Sequence, residues 1–380
     1  MSAAYDAPLN RELFLARNYG ATQMKCNILC FMAIVVLLAM SGGFADNRKS
    51  VTLAGWGIDE KNLDKFIADA EAVGFDVLIT WSTDPVFLKK AVEAGKRNNI
   101  KIFSCLDPMG GLGSLWNKHY PERPVPWQIM TEDEEAARKF IMAGRNQYII
   151  PYQFGGEPKM ANEVLETKII CFNNQECREL FKPLIDEIVS VPGIEGLAFD
   201  GFGYQNYHSC NCDRCQKLLA EYRKKHPEMS RDEAEVTFFR DTLVDYINHL
   251  ADHARSKKED IKTSIHIWPV FAPDPLYGNR LNIDFCGQTA AWYTSWPKEK
   301  IAEYSRIISG KAQKYHQRQQ GVGMIGYYDR PGQFPVKDAI RVDMELRTMI
   351  ENGCRRIQVC GANDVINNKE ISAVFKKYFK

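Results

Sequence analysis

The sequence predicts a single (β/α)8 barrel, and three observations carry that prediction. Eight short β-rich runs recur after Ser50, amphipathic helical stretches separate most of them, and the runs are continuously apolar rather than alternating. Continuous apolar runs are the mark of parallel strands covered on both faces, and eight of them followed by a terminal helix fit a closed barrel.

In order the runs are VTLAGW (51–56), FDVLITW (75–81), IKIFSCL (100–106), IEGLAFD (194–200), IKTSIHIW (261–268), LNIDFC (281–286), VGMIGYY (322–328) and CRRIQVC (354–360). Between them the helices announce their own starts. Thr83-Asp84-Pro85 supplies a cap and a first-turn proline, while Thr131-x-x-Glu134 and Ser230-x-x-Glu233 are capping boxes. After the last of these, Val236, Phe239, Leu243, Ile247, Leu250 and Ala254 recur at helical spacing and form a core-facing stripe. Between the fifth and sixth runs stands loop-like sequence, FAPDPLYGNR (271–280), with no barrel helix. Residues 108–170 are an insertion on the βα loop after the third run, at the face where barrels place their active sites. Within it GGLGS (110–114) is glycine-rich, but no Lys-Ser/Thr follows and no helix is expected there, so it is not a phosphate loop. LAGWG (53–57) lacks the dinucleotide-binding spacing.

The 380 residues contain 45% apolar and 26% charged side chains, which excludes a largely disordered or multi-span membrane chain. With 49 Lys plus Arg against 48 Asp plus Glu, no global field exists to attract nucleic acid. A neutral substrate such as a carbohydrate suits that balance. Residues 24–45, MKCNILCFMAIVVLLAMSGGFA, have the basic start, short apolar core and small-residue end of a secretory signal peptide. Cleavage is expected after Ala45, leaving the barrel domain 46–380 in the periplasm or secreted. No Cys follows the cleavage site, so no lipid anchor is expected, and cleavage would leave no stable membrane anchor; an ordinary N-terminal membrane anchor is the competing reading of this segment. The polar residues 1–23 would bury this signal, which points to Met24 as the translation start.

In a barrel the residues at strand C-termini face the pocket. The polar ones here are Asp107, Asp200, His266, Trp268, Gln288, Asp329, Asn363 and Asp364, the last also reading as the start of the final helix. Glycosidic bond cleavage needs two carboxylates across a cleft, one to protonate the leaving oxygen and one to attack or to activate water. Asp200 and Asp329 suit those places best, although a strand-end Asp is as often a helix cap. Glu157, beside two glycines in YQFGGEPKMANEVLE (152–166), is the reserve acid. Tyr204, Asn206, His266, Trp268, Gln288 and Tyr328 are the expected substrate-binding residues.

Cys210, Cys212 and Cys215 form C-x-C-x-x-C close after Asp200, a tight chelating turn. Cys171 is the choice for a fourth thiolate, giving a closed structural zinc site that would pin the loop after Asp200. Disulfides are the competing reading for an exported chain, but nine Cys follow the signal and an odd number cannot all pair. Cys354 and Cys360 lie in a strand-like run and read as core thiols.

The stretches CFNNQECRELFKPLIDEIV (171–189) and GLAFDGFGYQNYHSCNCDRCQKLLAEYRKKHP (196–227) resemble the middle of family 42 β-galactosidases, and also uncharacterised secreted bacterial glycoside hydrolases. The resemblance implies a barrel, zinc on the four Cys and a carbohydrate substrate. It also marks a departure. That family ends strand four with Asn-Glu, the Glu being the acid/base, whereas this chain reads Phe199-Asp200-Gly201-Phe202 and the Glu position falls on or near Phe202. Asp200 would supply a carboxylate earlier in the chain, as in α-galactosidase-like barrels, and Asp329 stands near the family's strand-seven nucleophile. Asp reaches less far than Glu, so the cleft geometry must differ. The leading reading is an exported glycoside hydrolase. The alternative is a non-catalytic, zinc-stabilised glycan-binding barrel, and a zinc module contacting nucleic acid conflicts with the signal and the charge. Nothing in the sequence fixes the oligomeric state.

Overall fold

The computed structural model describes residues 51–108, 110–129, 166–204, 209–267, 280–293, 295–311, 320–329 and 336–380. Eight parallel strands close into a barrel: β1 (Thr52–Trp56), β2 (Val77–Thr80), β3 (Lys101–Leu106), β6 (Gly196–Phe199), β7 (Lys262–His266), β8 (Phe285–Ala291), β9 (Gln320–Gly326) and β10 (Arg356–Cys360). Each pairs with its neighbours in that order, and β10 returns to β1 through Thr52↔Arg356 to Trp56↔Cys360. The expected (β/α)8 architecture is therefore the observed one. Ser50–Lys380 forms one compact unit. Among the described residues no helix is long and apolar enough to cross a membrane.

Two of the expected helix starts are observed at Asp84 and Ser230, while the Thr131-x-x-Glu134 box lies outside the described residues. Asp84 accepts hydrogen bonds from the Val86 and Phe87 amides at the start of α2 (Pro85–Arg97), which follows α1 (Leu63–Val73). Ser230 caps α6 (Arg231–Lys257), whose Phe239, Leu243, Ile247, Leu250 and Ala254 are buried as the stripe requires. Asn174 caps α4 (Gln175–Ser190) and Asn368 caps the terminal α10 (Lys369–Phe379). Asp364 lies in the first turn of a separate short helix, α9 (Ala362–Asn367), so the final helix starts later than the sequence suggests.

Two further local expectations need correcting. The glycine-rich run does open a helix, α3 (Gly110–His119), because Leu112 and Trp116 recur four residues apart and are both buried. Gly113 lets the helix approach Trp127 of β4 (Trp127–Ile129), since a Cβ there would lie 2.5 Å from the indole. β4 pairs antiparallel with β5 (Glu166–Ile170) outside the barrel. The sixth run is also shifted: LNID stays outside the sheet and the strand starts at Phe285. The cause is Asp284, whose carboxylate accepts from the Thr263 amide and hydroxyl, both at 2.9 Å, and from Arg255 at 3.3 Å. A side chain spent on capping the neighbouring strand holds the backbone in a loop until the next residue.

One buried ion network fixes the far side of the barrel. Lys337 donates to Glu345 at 2.7 Å, to the Gly326 carbonyl at the end of β9 at 3.1 Å, and to the Trp292 carbonyl just past β8. Glu345, fully buried on α8 (Ala339–Glu351), also accepts from Arg341 at 2.7 Å, and Arg341 reaches the Trp296 carbonyl. Removing one partner of such a network leaves a buried charge uncompensated. Glu345→Gln is expected to lower unfolding stability by about 3–5 kcal/mol in urea titrations, whereas the exposed Lys65–Asp69 pair, broken by Asp69→Asn, should cost under about 1 kcal/mol.

Candidate functional site

The C-terminal ends of the strands bring together one acid, one imidazole and an arc of aromatic rings. Asp200 follows β6, with its amide donating to the Leu106 carbonyl at 3.1 Å, which holds the strand end beside β3. Gly201 then takes φ +71°, a left-handed conformation that turns the chain sharply and drops Phe202 into the core. Phe202 is fully buried against Phe172, Phe181, Phe199 and Tyr246. The position expected for the acid/base Glu by resemblance is therefore part of the hydrophobic core, and Asp200 is the carboxylate that the turn leaves at the barrel mouth.

His266, the last residue of β7, sits 3.1 Å through Nδ1 from Asp200 Oδ1 and is almost wholly buried. A carboxylate only accepts, so the proton of a neutral imidazole lies on Nδ1 and the lone pair on Nε2. Among the described residues that buried Nε2 has no hydrogen-bond partner. Its ring lies between Trp56 at 6.3 Å and Trp292 at 5.6 Å, and the Trp292 indole N–H is also buried and unpartnered. The ring series continues from Trp56 to Trp81 at 5.9 Å, and from Trp292 through Tyr293 at 4.3 Å to Tyr328 at 4.4 Å. Trp81 is 46% exposed and Tyr328 is partly exposed, so the two ends of the arc reach solvent while its middle surrounds the Asp200–His266 pair. Two thiols complete the surroundings. Burial pushes the Cys105 and Cys360 thiols well up, and the Asp200 charge adds to both effects.

The other sequence candidates fall in different places. Asp329, just past β9, is exposed and accepts from Asn368 at 3.0 Å, next to the Tyr327 hydroxyl that Asn368 also reaches at 3.1 Å. It is thus held at the cap of the terminal helix. Tyr204 is a core residue and not part of a sugar subsite: it is 3% exposed, its hydroxyl donates to the Phe239 carbonyl at 3.2 Å, and its ring packs on Phe172 and Phe239. Gln288 is buried within β8, and strand alternation places it opposite the inward-facing Gly287, toward the helix layer and away from the pocket. Glu157, Asn206, Trp268 and the signal segment 24–45 lie outside the described residues. Sequence reasoning missed Trp56, Trp81, Trp292, Tyr293 and Cys360. The strand-end rule that selected Asp200 would also have found Trp56, Trp81 and Cys360, had aromatic and thiol side chains been counted with the polar ones.

Behind Asp200 the four cysteines converge as the spacing predicts. The Sγ atoms of Cys171, Cys210, Cys212 and Cys215 all lie within 4.8 Å of one another, so the group could hold a metal ion. Cys171 directly follows β5, Cys210 and Cys212 lie on the turn into α5 (Asp213–Lys225), and Cys215 lies in the first turn of that helix. None of the nine described cysteines is in a disulfide. The Cys171–Cys215 and Cys171–Cys212 separations are 3.4 and 3.7 Å. The edge of a tetrahedron with 2.3 Å metal–sulfur bonds is about 3.8 Å, so the donors fit a four-thiolate ion. Hydrogen bonds from Cys171 and Cys210 pull the half-exposed Cys212 thiol well down, which favours a thiolate. Asn173 donates to Cys215 at 3.2 Å and is met by Thr242 of α6 at 3.3 Å, tying the cluster to that helix. Gln128 of β4 bridges the Ile170 and Gly203 carbonyls at 3.1 and 3.0 Å, so the β4–β5 pair also braces the segment after Asp200.

No protein-family model matches the chain, and no curated protein matches it in sequence. Solved structures do match in fold. The PgaB (BpsB) glycoside hydrolase domain from Bordetella bronchiseptica is 10% identical, with a TM-score of 0.55 over 86% of this chain and 98% of that one. The β-galactosidase from Bacillus circulans sp. alkalophilus is 12% identical, with a TM-score of 0.58 over 88% of this chain and 56% of that one. The α-L-fucosidase isoenzyme 2 from Paenibacillus thiaminolyticus is 12% identical, with a TM-score of 0.52 over 87% and 48%. The chain spans about half the length of the latter two enzymes. At these identities the likeness is one of fold: a barrel of the kind that glycoside hydrolases use.

The chemistry of the buried thiols gives a direct check on this geometry. Only a thiolate alkylates, so Cys105, Cys286 and Cys360, whose pKa values burial raises, should resist iodoacetamide in the folded protein at mildly alkaline pH. Peptide mass mapping after brief labelling, with a denatured control in which all three react, reads the outcome.

Proposed function

We propose that the chain is an exported glycoside hydrolase in which Asp200 is the essential carboxylate. The observation that carries the reading is the Asp200–His266 pair at the barrel mouth, with the Nε2 of His266 and the indole N–H of Trp292 buried beside it and unpartnered. Buried polar atoms without partners cost about 1–3 kcal/mol each, and an imidazole nitrogen and an indole N–H amid aromatic rings suit a ligand whose hydroxyls both donate and accept. Sugar hydroxyls satisfy the orphan atoms, and the flat faces of Trp81 and Tyr328 receive sugar rings at the solvent ends of the arc. His266 holds the Asp200 carboxylate in place through its Nδ1 proton. Asp200 then attacks the anomeric carbon or activates water, while a second carboxyl group protonates the leaving oxygen. Asp329, exposed just past β9, is the sequence candidate for that second group and would have to leave its Asn368 contact to serve, and Glu157 is its substitute.

The fold-level likeness to glycoside hydrolases supports the substrate class. The signal-type segment 24–45 supports export. The four-thiolate geometry supports a structural zinc that braces the segment after Asp200 without touching substrate. A second reading, a glycan-binding barrel without catalysis, is favoured by one observation: the position where family 42 resemblance expects the acid/base Glu carries the buried Phe202.

Against a panel of 4-nitrophenyl glycosides, Asp200→Asn should lower kcat by about 10²–10⁴ while sugar binding by calorimetry persists. Asp329→Asn and Glu157→Gln identify the partner by which of them falls with it. Wild-type turnover in Asp200→Asn would remove Asp200 from the mechanism, and sugar binding with no turnover of any glycoside would select the binding-protein reading. Elemental analysis should give one zinc per chain. Chelation or Cys212→Ser should lower the melting temperature, and a metal-free chain of unchanged melting temperature would exclude a structural ion.

A further inference from the structure

The opposite half of the barrel interior is not filled. A cavity of about 380 Å³ opens at the N-terminal ends of the strands, within the ~300–1,000 Å³ range of small-molecule sites. Small side chains create it, since Thr52, Ala54 and Ser264 line the walls where barrels normally place bulky branched residues. Gly196 lets the Phe103 ring settle on bare backbone, since a Cβ there would lie 2.3 Å from the ring. Phe103 and Phe285, with centroids 6.3 Å apart, give the cavity a flat apolar wall. Gln358 closes it on the inner side: it accepts from Trp56 Nε1 at 3.1 Å and donates to Ser264 Oγ at 2.8 Å. This hydrogen-bonded bar stands between the cavity and His266, two residues further along β7 from Ser264.

Of the cations lining the cavity, Arg356 makes its hydrogen bonds to neutral groups, and the carboxylate of Asp76 on the same wall attracts it only from beyond ion-pair distance. Arg356 donates to the Gln320 side chain and to Thr52 Oγ1 at 3.3 Å, and its guanidinium stacks 5.0 Å over Phe285. Among the described residues no carboxylate lies within ion-pair distance of it. The acids nearby are committed elsewhere: Asp284 to Thr263, Arg255 and, at 3.9 Å, Lys262, and Asp76 to the Leu53 amide at 3.2 Å. Lys101, at the mouth, meets Glu195 at 3.7 Å. A guanidinium fork is the usual partner of a carboxylate, and an aromatic wall suits a flat body. We propose that this cavity binds a small organic monocarboxylate with a flat apolar body, its carboxylate on Arg356 and its body against Phe103 and Phe285. The site is separate from the Asp200 pocket, and the proposal does not rest on the glycosidase reading.

The test is ¹⁹F NMR of 4-fluorobenzoate added to the full chain. Saturable line broadening with a Kd of about 1 mM or below is expected, weakened at least about tenfold by Arg356→Gln. Ala54→Leu, which fills the cavity while leaving Arg356 in place, should abolish binding and serves if the arginine variant fails to fold. Trp81→Ala, at the other end of the barrel, should leave binding unchanged. Absence of saturable broadening, binding that survives both cavity substitutions, or binding lost in Trp81→Ala would each overturn the proposal.

Discussion

The return of β10 onto β1 is the constraint on which the rest of this structure depends. Five residues of each strand run in parallel register from Thr52↔Arg356 to Trp56↔Cys360, and that pairing turns an open sheet into a barrel with two distinct ends. Closure forces side chains from distant parts of the chain into one narrow interior. Trp56 and Gln358, 302 positions apart in sequence, become hydrogen-bond partners only because of it. Their contact, continued to Ser264, divides the interior into an acid–imidazole end and an arginine end.

At the C-terminal end the site is built by restraint from several sides. The backbone contact to Leu106 fixes where Asp200 leaves the sheet, and the turn at Gly201 commits the following residues to the core. The Gln128 bridges then hold the segment beyond it, next to which the four cysteines gather. On the other side the buried Lys337–Glu345–Arg341 network grips the backbone at Trp292 and Trp296. His266 is therefore caught between an acid and an indole whose positions are set independently.

Much of this was legible in the chain. Period and run length revealed the eight strands, because a strand buried on both faces must be apolar throughout, and capping chemistry located the starts of α2 and α6 because it is local. The thiol cluster was legible for the same reason: C-x-C-x-x-C is a chelating turn wherever it folds, and the place of Cys171 just after the insertion marks it as the fourth thiolate, a choice the resemblance in the same stretch agrees with. Tyr204 and Gln288 were misread because burial depends on which neighbours arrive from elsewhere. The sequence around Tyr204 looks polar, yet Phe172 and Phe239 enclose its ring, and the register that pairs Gly287 with the inward His266 turns Gln288 outward.

By itself the sequence determined the barrel, the acid at the end of its fourth strand and the grouping of three thiols, since each rests on contacts within a few residues or on a pattern that solvent imposes on every strand. Only the tertiary structure decided which atoms meet across the barrel. The pairing of Asp200 with His266, the aromatic arc from Trp81 to Tyr328, the placement of Asp329 at a helix cap and the space beneath Gln358 all depend on how strands far apart in sequence are staggered around a closed ring. Stagger is a property of the whole sheet, and no single segment encodes it.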